Sequence, residues 1–424
     1  MTMCAAIVLK DVTFPDGRIA DISVCKGRVI HTGAGMACDR AIDCTGYLVL
    51  PGATDMHVHM RGGTQSAKED WTTGSRSALA GGVTLVVDQP NTVPPLSTPD
   101  AFLKRVEDAK RNSVCNFAIN SALTEITPCS RMWEAGAMAF GETFFGRSSY
   151  GDAIEPGVFE QLCDRVSRLS GLVTVHAESV SGVPGNDLGS HGEARSPQGE
   201  ADAVRLVEQL NRSRCRLHFC HLSTAGAIDA VRESSIEVTP HHLFLSTESF
   251  RNGSDTRGKV NPPLRSERER KNLMSRWERI DIIASDHAPH TLAEKQVPFC
   301  DAPSGIPGVE TMMPLLVAKV LDRTLPVQSL IAKTSENPAR ILGIHKAGFS
   351  VGDRADFALY PKTPAPIRAD DLHSRCGWTP FEGINAVFPS LVIMDGSVVF
   401  DKGEFCPGNP RWFPGKGYVN VPPV

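Results

Sequence analysis

The middle of this 424-residue chain alternates short apolar runs with helical segments. The eight runs that are typical of strands cover residues 53–59, 83–89, 116–123, 137–142, 172–178, 216–222, 236–242 and 281–287. Strands that alternate with helices indicate βα units around a parallel sheet. A count of eight favours a closed (β/α)8 barrel of the TIM type, in which the chemistry lies at the carboxyl ends of the strands.

The two ends of the chain have a different pattern. Residues 1–50 and 345–424 contain short β-like runs separated by Asp-Gly and Gly turns. Because the ends of many domains lie close together, these segments predict one small β-sandwich assembled from both termini. The expected fold is therefore α/β, with a barrel over residues 51–344 and a β-sandwich domain whose second part, 345–424, includes the C-terminal tail.

The predicted strand ends carry imidazoles and carboxylates. His57 and His59 end the first strand, and since strand side chains alternate faces, both rings point the same way. Two imidazoles on one face can hold a divalent metal ion, although an H-x-H pair alone is a weak signal. Later strand ends add four residues of the same chemistry: Glu142, His176, His221 and Asp286.

Alternation also predicts which neighbours face this mouth of the barrel. In the sixth strand, His221 shares a face with Leu217 and Phe219, so His218 is expected to point away, into the strand–helix layer. His241 and His242 are predicted to end the seventh strand and to support the site or pack beside it.

The six strand-end residues are more consistent with a metal site than with ordinary core or solvated side chains. Charged groups at the end of an apolar strand are costly unless they are paired or bind a metal. Imidazoles and carboxylates without thiolates suit zinc, manganese or iron(II). Six ligands exceed the needs of one catalytic ion, so two ions with a bridging carboxylate fit better, and such pairs activate water and polarise carbonyls. The pattern predicts hydrolysis or its reverse.

At this point several motifs resemble the amidohydrolase superfamily, and within it dihydroorotase of the long, class I type. The match follows the same order along nearly the whole chain. Its motifs are D-M-H-V-H-M-R at 55–61, Q-P-N-T at 89–92, V-H-A-E at 175–178, C-H-L-S-T at 220–224, T-P-H-H-L-F-L at 239–245, K-V-N-P-P-L-R at 259–265 and S-D-H-A-P-H at 285–290.

The resemblance implies a zinc-dependent enzyme that closes dihydroorotate from N-carbamoyl-L-aspartate in pyrimidine synthesis. It implies one zinc ion held by His57, His59 and Asp286, and a second held by His176 and His221. Asp286 would also act as general acid and base for both directions of the reaction.

The same resemblance implies a substrate-binding set. Arg61, Asn91 and His290 would bind the substrate carboxylate, and Asn261 would contact the pyrimidine ring. A guanidinium fork at Arg61 suits a carboxylate, because it offers two parallel hydrogen bonds. Alternatives remain for single residues: an exposed loop arginine, or turn chemistry for the two asparagines.

One position departs from the superfamily pattern. Many members bridge the two metals with a carboxylated lysine on strand four, but the segment A-M-A-F-G-E-T-F-F-G at 137–146 contains no lysine. Glu142 is the expected counterpart. If it turns away, a single metal would bind.

Composition limits the remaining options. A net charge of -4 gives no basic stripe for nucleic acid, and no apolar run reaches membrane-spanning length. The twelve cysteines lack C-x-x-C spacing, which favours free thiols in the cytoplasm. The stretch 291–304 is either a lid over the substrate or a surface excursion.

Two rival functions stay open. Allantoinase or dihydropyrimidinase would share the metal site, but their substrates lack the ring carboxylate that Arg61 would bind. The chain could instead be a catalytically inactive homologue that serves as a scaffold for aspartate transcarbamoylase. An active complex with that enzyme and a homodimer are further alternatives.

Overall fold

The computed structural model describes residues 7–145, 154–181 and 185–419. Its central element is a ring of parallel strands. They are Ala53–Val58, Val83–Asp88, Asn116–Ile119, Phe140–Phe144, Leu172–His176, Arg216–Phe219, Ser235–Val238 and Ile282–Ile283. The first three pair in order within one sheet and the last five within another. Each predicted strand therefore corresponds to an observed one.

Short bridges close the ring between these two sheets. Ser121 pairs in parallel with Phe140, and Val58 pairs in parallel with His287. At the second junction, the backbone N–H of His59 donates to the carbonyl of His287 over 2.8 Å. These contacts join the first strand to the eighth, and the predicted α/β barrel fold is confirmed.

Helices surround the ring and connect its strands. They are Trp71–Gly81, Pro99–Asn112, Cys129–Glu134, Pro156–Ser167, Leu188–Ala194, Pro197–Leu210, Ala225–Ala230, Pro240–Phe244, Glu267–Met274, Leu292–Lys295, Val309–Leu321, Val327–Ile331 and Asn337–Leu342. Several begin at a side chain that accepts from the first turn, such as Asp70 from the N–H of Thr73. Apolar side chains fill the inside of the ring, including Leu85, Val87 and Ala284.

Each predicted strand end differs from the observed one by one to four residues, and two of these differences concern site residues. The seventh strand ends at Val238 rather than at residue 242, because Pro240 begins a short helix that contains His241 and His242. Proline favours this position, since its ring fixes a helical φ and the missing N–H is not needed there. The fourth strand continues to Phe144, so Glu142 lies within it.

Strands from both chain ends form one nine-stranded sheet beside the barrel. They are Ile7–Thr13, Ile19–Cys25, Arg28–Gly33, Arg40–Asp43, Leu48–Pro51, Phe357–Tyr360, Leu391–Met394, Ser397–Asp401 and Glu404–Phe405. Leu48–Pro51 pairs antiparallel with Phe357–Tyr360, which joins the two ends. The domain boundaries at residues 50 and 344 stay a prediction, and residues 1–6 and 420–424 lie outside the described ranges.

A segment between the last barrel helix and the final strands reaches back to the carboxyl ends of the barrel strands. We call residues 372–379 the strap. The indole N–H of Trp378 donates to the carbonyl of His290 over 2.8 Å, and Arg375 donates to the carbonyl of Ser66 over 2.8 Å. Further along, residues 411–413 bond to Phe117 of the third barrel strand. The C-terminal part of the chain therefore contacts the barrel in two places, through the strap and through residues 411–413.

None of the described helices combines enough residues with enough apolar character to cross a bilayer.

Candidate metal centre and substrate cavity

The first part of the site joins the first and last barrel strands. His59 Nε2 lies 3.1 Å from Asp286 Oδ1, and His57 Nε2 lies 3.6 Å from the same oxygen. All three side chains are buried. The structure thus brings together the three residues predicted to hold one metal ion.

The second part surrounds Glu142. Its Oε1 lies 2.6 Å from His221 Nε2 and 3.0 Å from His176 Nδ1, and its Oε2 lies 3.6 Å from His57 Nε2. Glu142 therefore faces both histidine groups rather than turning away. This is the position that a bridging carboxylate requires, although the bridging role stays a prediction.

Two buried glutamates that the sequence reasoning missed orient the histidines. Glu237 Oε1 accepts from His57 Nδ1 over 3.0 Å and from the backbone N–H of His221 over 3.0 Å. Glu178 Oε2 accepts from His176 Nε2 over 2.7 Å and also pairs with Arg195. A carboxylate on the outer nitrogen of a histidine fixes its tautomer and leaves the inner nitrogen free to bind metal.

The local geometry fits a metal centre. Within the described ranges, one ligand atom each from His57, His59 and Asp286 lie within 4.8 Å of one another, and the same holds for His57, Glu142 and His221. His57 Nε2 and His221 Nδ1 are buried and have no hydrogen-bond partner among the described residues. Buried nitrogens without partners are costly, and a cation would satisfy His57 Nε2, which faces the cluster.

The charges of the cluster lead to the same conclusion. Burial acts to raise the pKa of Asp286, but the positive charge of His57 and the hydrogen bond from His59 hold it well below its usual range. Burial likewise opposes ionisation of Glu142, yet His57 and the hydrogen bonds from His176 and His221 keep its pKa far below normal. Two ionised carboxylates in one buried cluster require compensating positive charge; protonated histidines supply it in the free protein, and a divalent cation would take their place.

Three site residues have a left-handed backbone. The φ angles are 46° at Arg61, 36° at His221 and 44° at Asp286. Residues other than glycine rarely adopt this region of backbone conformation. Residues that do so are common at functional sites. A left-handed residue also ends the regular alternation of a strand, so period two does not fix which earlier strand residues share a face with these side chains.

His218 shows the effect of that irregularity. The prediction that it points away from the site is wrong. Its Nε2 lies 3.0 Å from Glu237 Oε2, whereas Leu217 and Phe219 belong to the apolar cluster that includes the surrounding helices. His218 therefore supports Glu237, and through Glu237 it supports His57.

A cavity of about 360 Å³ opens above the metal-ligand cluster. The four predicted substrate-binding residues all line it: Arg61, Asn91, Asn261 and His290. Asn91 Oδ1 also accepts from His59 Nδ1 over 2.6 Å, so this residue connects the cavity to the cluster. The Oδ1 of Asn261 is buried without a hydrogen-bond partner among the described residues. Gln65 and Lys68 line the same cavity, and sequence reasoning missed both.

The stretch 291–304 forms one wall of this cavity. It contains a four-residue helix, Leu292–Lys295, capped by Thr291, and Pro303 and Ser304 line the cavity. The buried Lys295 ammonium donates to the carbonyls of Pro303 and Gly305 over 2.8 and 3.0 Å. Hydrogen bonds from Lys295 therefore hold this wall together. The expectation that it moves as a lid stays a prediction.

Three further histidines lie next to site residues: His241, His242 and His287. His287 Nδ1 accepts from the N–H of Gly308 over 3.1 Å, and Nε2 lies 3.4 Å from Glu69. His242 forms hydrogen bonds with the hydroxyl of Thr239 through Nδ1 and with the carbonyl of Pro262 through Nε2. Burial lowers the pKa of His241 to about 4.

Comparisons with known proteins agree with this geometry. A family model described as "Dihydro-orotase-like" matches residues 46–159. A dihydroorotase from Methanosarcina acetivorans is 38% identical, with 94% of this chain and 93% of the relative covered. A dihydroorotase from Halobacterium salinarum is 39% identical over 93% of this chain and 96% of its own length. The chain belongs to the dihydroorotase family. It is thus a metal-dependent enzyme of the cyclic amidohydrolase class.

Solved structures of related enzymes share the architecture of this dihydroorotase family member. The L-hydantoinase (dihydropyrimidinase) of Arthrobacter aurescens superposes with a TM-score of 0.88 at 25% identity, with 96% of this chain and 99% of that chain covered. A dihydropyrimidinase of Brevibacillus agri NCHU1002 gives a TM-score of 0.86 at 22% identity over 98% and 99%, which shows the fold alone.

Proposed function

We propose that this protein is a zinc-dependent dihydroorotase that interconverts N-carbamoyl-L-aspartate and L-dihydroorotate in pyrimidine biosynthesis. The observation that carries the proposal is the composition of one cavity. A buried guanidinium, Arg61, and a cluster of imidazoles and carboxylates line the same space. A substrate with both a carboxylate and a ring amide requires this combination.

The proposed metal ligands divide into two groups. His57, His59 and Asp286 would hold one ion, and His176 and His221 would hold the other. Glu142 would lie between them. When bound, zinc would activate water and polarise the ring carbonyl. Zinc is proposed over calcium or magnesium because imidazole nitrogens dominate the set.

Asp286 would move the proton. It takes a proton from the attacking water and delivers it to the departing ring nitrogen, and in ring closure it does the reverse. This role requires an ionised carboxylate at the start, and the depressed pKa of Asp286 supplies it. Substitution by asparagine keeps the shape of the side chain but removes the proton acceptor.

Arg61, Asn91 and His290 would bind the carboxylate that does not react, with Asn261 beside the ring. Burial lowers the pKa of Arg61 to about 10, so the guanidinium remains charged at neutral pH. A buried charge gains most from a charged partner, which favours a carboxylate-bearing substrate. Rings without a carboxylate, such as hydantoin or dihydrouracil, would leave Arg61 unpaired.

The proton balance gives the reaction a defined pH dependence. Carbamoyl aspartate carries two carboxylates and dihydroorotate carries one, so cyclisation consumes one proton. The equilibrium ratio of dihydroorotate to carbamoyl aspartate is expected to rise about tenfold for each unit by which pH falls.

The test begins with protein stripped of metal by a chelator. Ring opening of dihydroorotate is followed while zinc is added back, with allantoin, hydantoin and dihydrouracil in parallel. Zinc-dependent turnover of dihydroorotate supports the proposal, and the stoichiometry at full activity counts the ions. Preferred turnover of a ring without a carboxylate would refute the substrate assignment.

Three further expectations concern the cell rather than the site. A cytoplasmic location, a homodimer and a complex with aspartate transcarbamoylase stay predictions. Co-purification with that enzyme, followed by activity with and without it, would test the last of them.

A further inference from the structure

A second cavity lies at the end of the barrel opposite the metal centre. Leu172, the first residue of the fifth strand, lines it, whereas His176, the last residue of the same strand, lines the substrate cavity. Arg216 and Ser235, the first residues of the sixth and seventh strands, line it as well. The cavity holds about 600 Å³, which exceeds the 360 Å³ of the substrate cavity and is typical of a small-molecule site.

The lining of this second cavity is strongly basic. Two glutamates, Glu208 and Glu233, are its acidic residues. Its basic residues are five arginines: Arg212, Arg214, Arg216, Arg232 and Arg340. The lining therefore carries three positive charges, in a chain whose net charge is -4.

Most of these arginines have no carboxylate partner. Within the described ranges, Arg212 lies 3.5 Å from Glu160, and the other four arginines form no ion pair. Glu208 accepts from the backbone N–H of Arg232 over 3.2 Å. Like charges that are held together repel one another, so the cluster gains from an anion shared between its guanidinium groups.

The turn before the sixth strand holds part of this cluster in place. The side-chain amide of Asn211 accepts from the N–H of Cys215 and donates to its carbonyl, both over 2.8 Å, which closes the turn around Arg214. Arg216 donates to the carbonyl of Ile341 in the last barrel helix. An anion therefore meets arginines whose positions are already set, which lowers the entropic cost of binding.

The chemistry of the lining favours a ligand with more than one phosphoryl group. A guanidinium binds phosphate oxygens through parallel hydrogen bonds. One phosphoryl group carries a charge of about -1.5 to -2 at neutral pH, which is less than the three positive charges of the lining. No aromatic side chain of the described residues lines the cavity, so a base has no ring to stack on and the phosphoryl groups make the main contacts.

We propose that this cavity binds a small molecule that carries a diphosphate or triphosphate group. The site is separate from the substrate cavity. The proposal goes beyond the reaction proposed above and does not depend on it.

The first experiment titrates tripolyphosphate into the zinc-loaded protein by calorimetry at about 0.15 M salt, with orthophosphate and citrate in parallel. We expect one saturable site for tripolyphosphate, with orthophosphate and citrate bound at least about tenfold more weakly. The zinc content is measured after each titration, so that chelation is not counted as binding. Absence of a saturable site for tripolyphosphate, or equal affinity for citrate, would overturn the proposal.

The second experiment repeats the titration on arginine variants. Arg214→Gln combined with Arg340→Gln is expected to weaken tripolyphosphate binding about 100-fold, because hydrogen bonds between charged groups are lost. Both side chains are exposed, so the fold is retained. The control combines Arg165→Gln with Arg168→Gln, which removes the same charge from exposed arginines at a different surface cavity. Wild-type affinity in the first double variant, or an equal loss in the control, would show that the second cavity is not the site.

Two further titrations locate the site and identify the ligand. Arg61→Met is expected to bind tripolyphosphate like the wild type, and loss of binding in this variant would place the anion in the substrate cavity and overturn the proposal. Adenosine triphosphate separates the two sources of a triphosphate group. Tighter binding than tripolyphosphate identifies a nucleotide, and equal or weaker binding identifies an inorganic polyphosphate; either result supports the shared chemistry.

Discussion

Replacing Glu237 by glutamine tests whether the buried layer behind the histidines controls metal affinity. The Glu237 side chain is fully buried and accepts three hydrogen bonds of 3.0 Å, from His57 Nδ1, from the backbone N–H of His221 and from His218 Nε2. Glutamine keeps the shape and one oxygen. It removes the negative charge that raises the pKa of His57 against the effect of burial.

The expected loss of zinc affinity or of stability depends on which hydrogen-bond donors each Glu237 variant leaves without an acceptor. Loss of a carboxylate behind a metal-binding histidine typically weakens metal binding about 10–100-fold, or about 1.4–2.8 kcal/mol. Alanine would leave three buried donors without an acceptor, at about 1–3 kcal/mol each, a sum comparable to the net stability of a domain. Glu237→Gln is therefore the informative variant.

The assay is competition for zinc between the protein and a chromophoric chelator at fixed pH. Glu404→Gln, which changes an exposed carboxylate of the terminal sheet, serves as the control and should bind zinc like the wild type. Circular dichroism checks that the fold of each variant is retained. Wild-type zinc affinity in a folded Glu237→Gln protein would refute the reasoning.

Three other perturbations follow from the site. Glu142→Ala is expected to lower the zinc content at saturation from two ions to one, measured by elemental analysis; an unchanged content would count against the bridging role. Arg61→Met should reduce kcat/KM for dihydroorotate by at least about 100-fold, because a buried charge pair is lost, and should affect hydantoin much less; equal losses on both rings would contradict the carboxylate contact. Lys295→Met leaves the carbonyls of Pro303 and Gly305 without their donor, so a lower Tm and a higher KM are expected, and wild-type values of both would show that the wall is held otherwise.

The sequence predicted the site correctly where metal-ligand residues lie in or at the ends of regular strands. The eight-strand pattern located the barrel, and ligand-type residues at strand ends located His57, His59 and Asp286 because parallel strands deliver their ends to one edge. The same argument brought Glu142 to the cluster, although its strand runs two residues further than expected.

The reasoning failed where the backbone leaves the regular pattern or where support lies inside a strand. His218 was assigned to the wrong face because His221 has a positive φ and ends the alternation that linked the two. Glu237 lies inside the strand Ser235–Val238, where an argument from strand ends does not apply. A signal was present: a carboxylate between Ile236 and Val238 is buried on its strand and requires a partner. Lys68 carries no such signal, since its place in the cavity wall and its contact with Glu294 depend on how two loops meet.

The strap has a consequence for the way this enzyme can be recombined with its relatives. Residues from the last sixth of the chain hold the backbone of His290 and of Ser66, so the substrate cavity is built by segments more than eighty residues apart in sequence. The barrel is therefore not an interchangeable module. A chimera that joined this barrel to the C-terminal region of a relative would bring in foreign contacts at Trp378 and Arg375, and its substrate preference would follow the donor of the tail as well as the donor of the barrel.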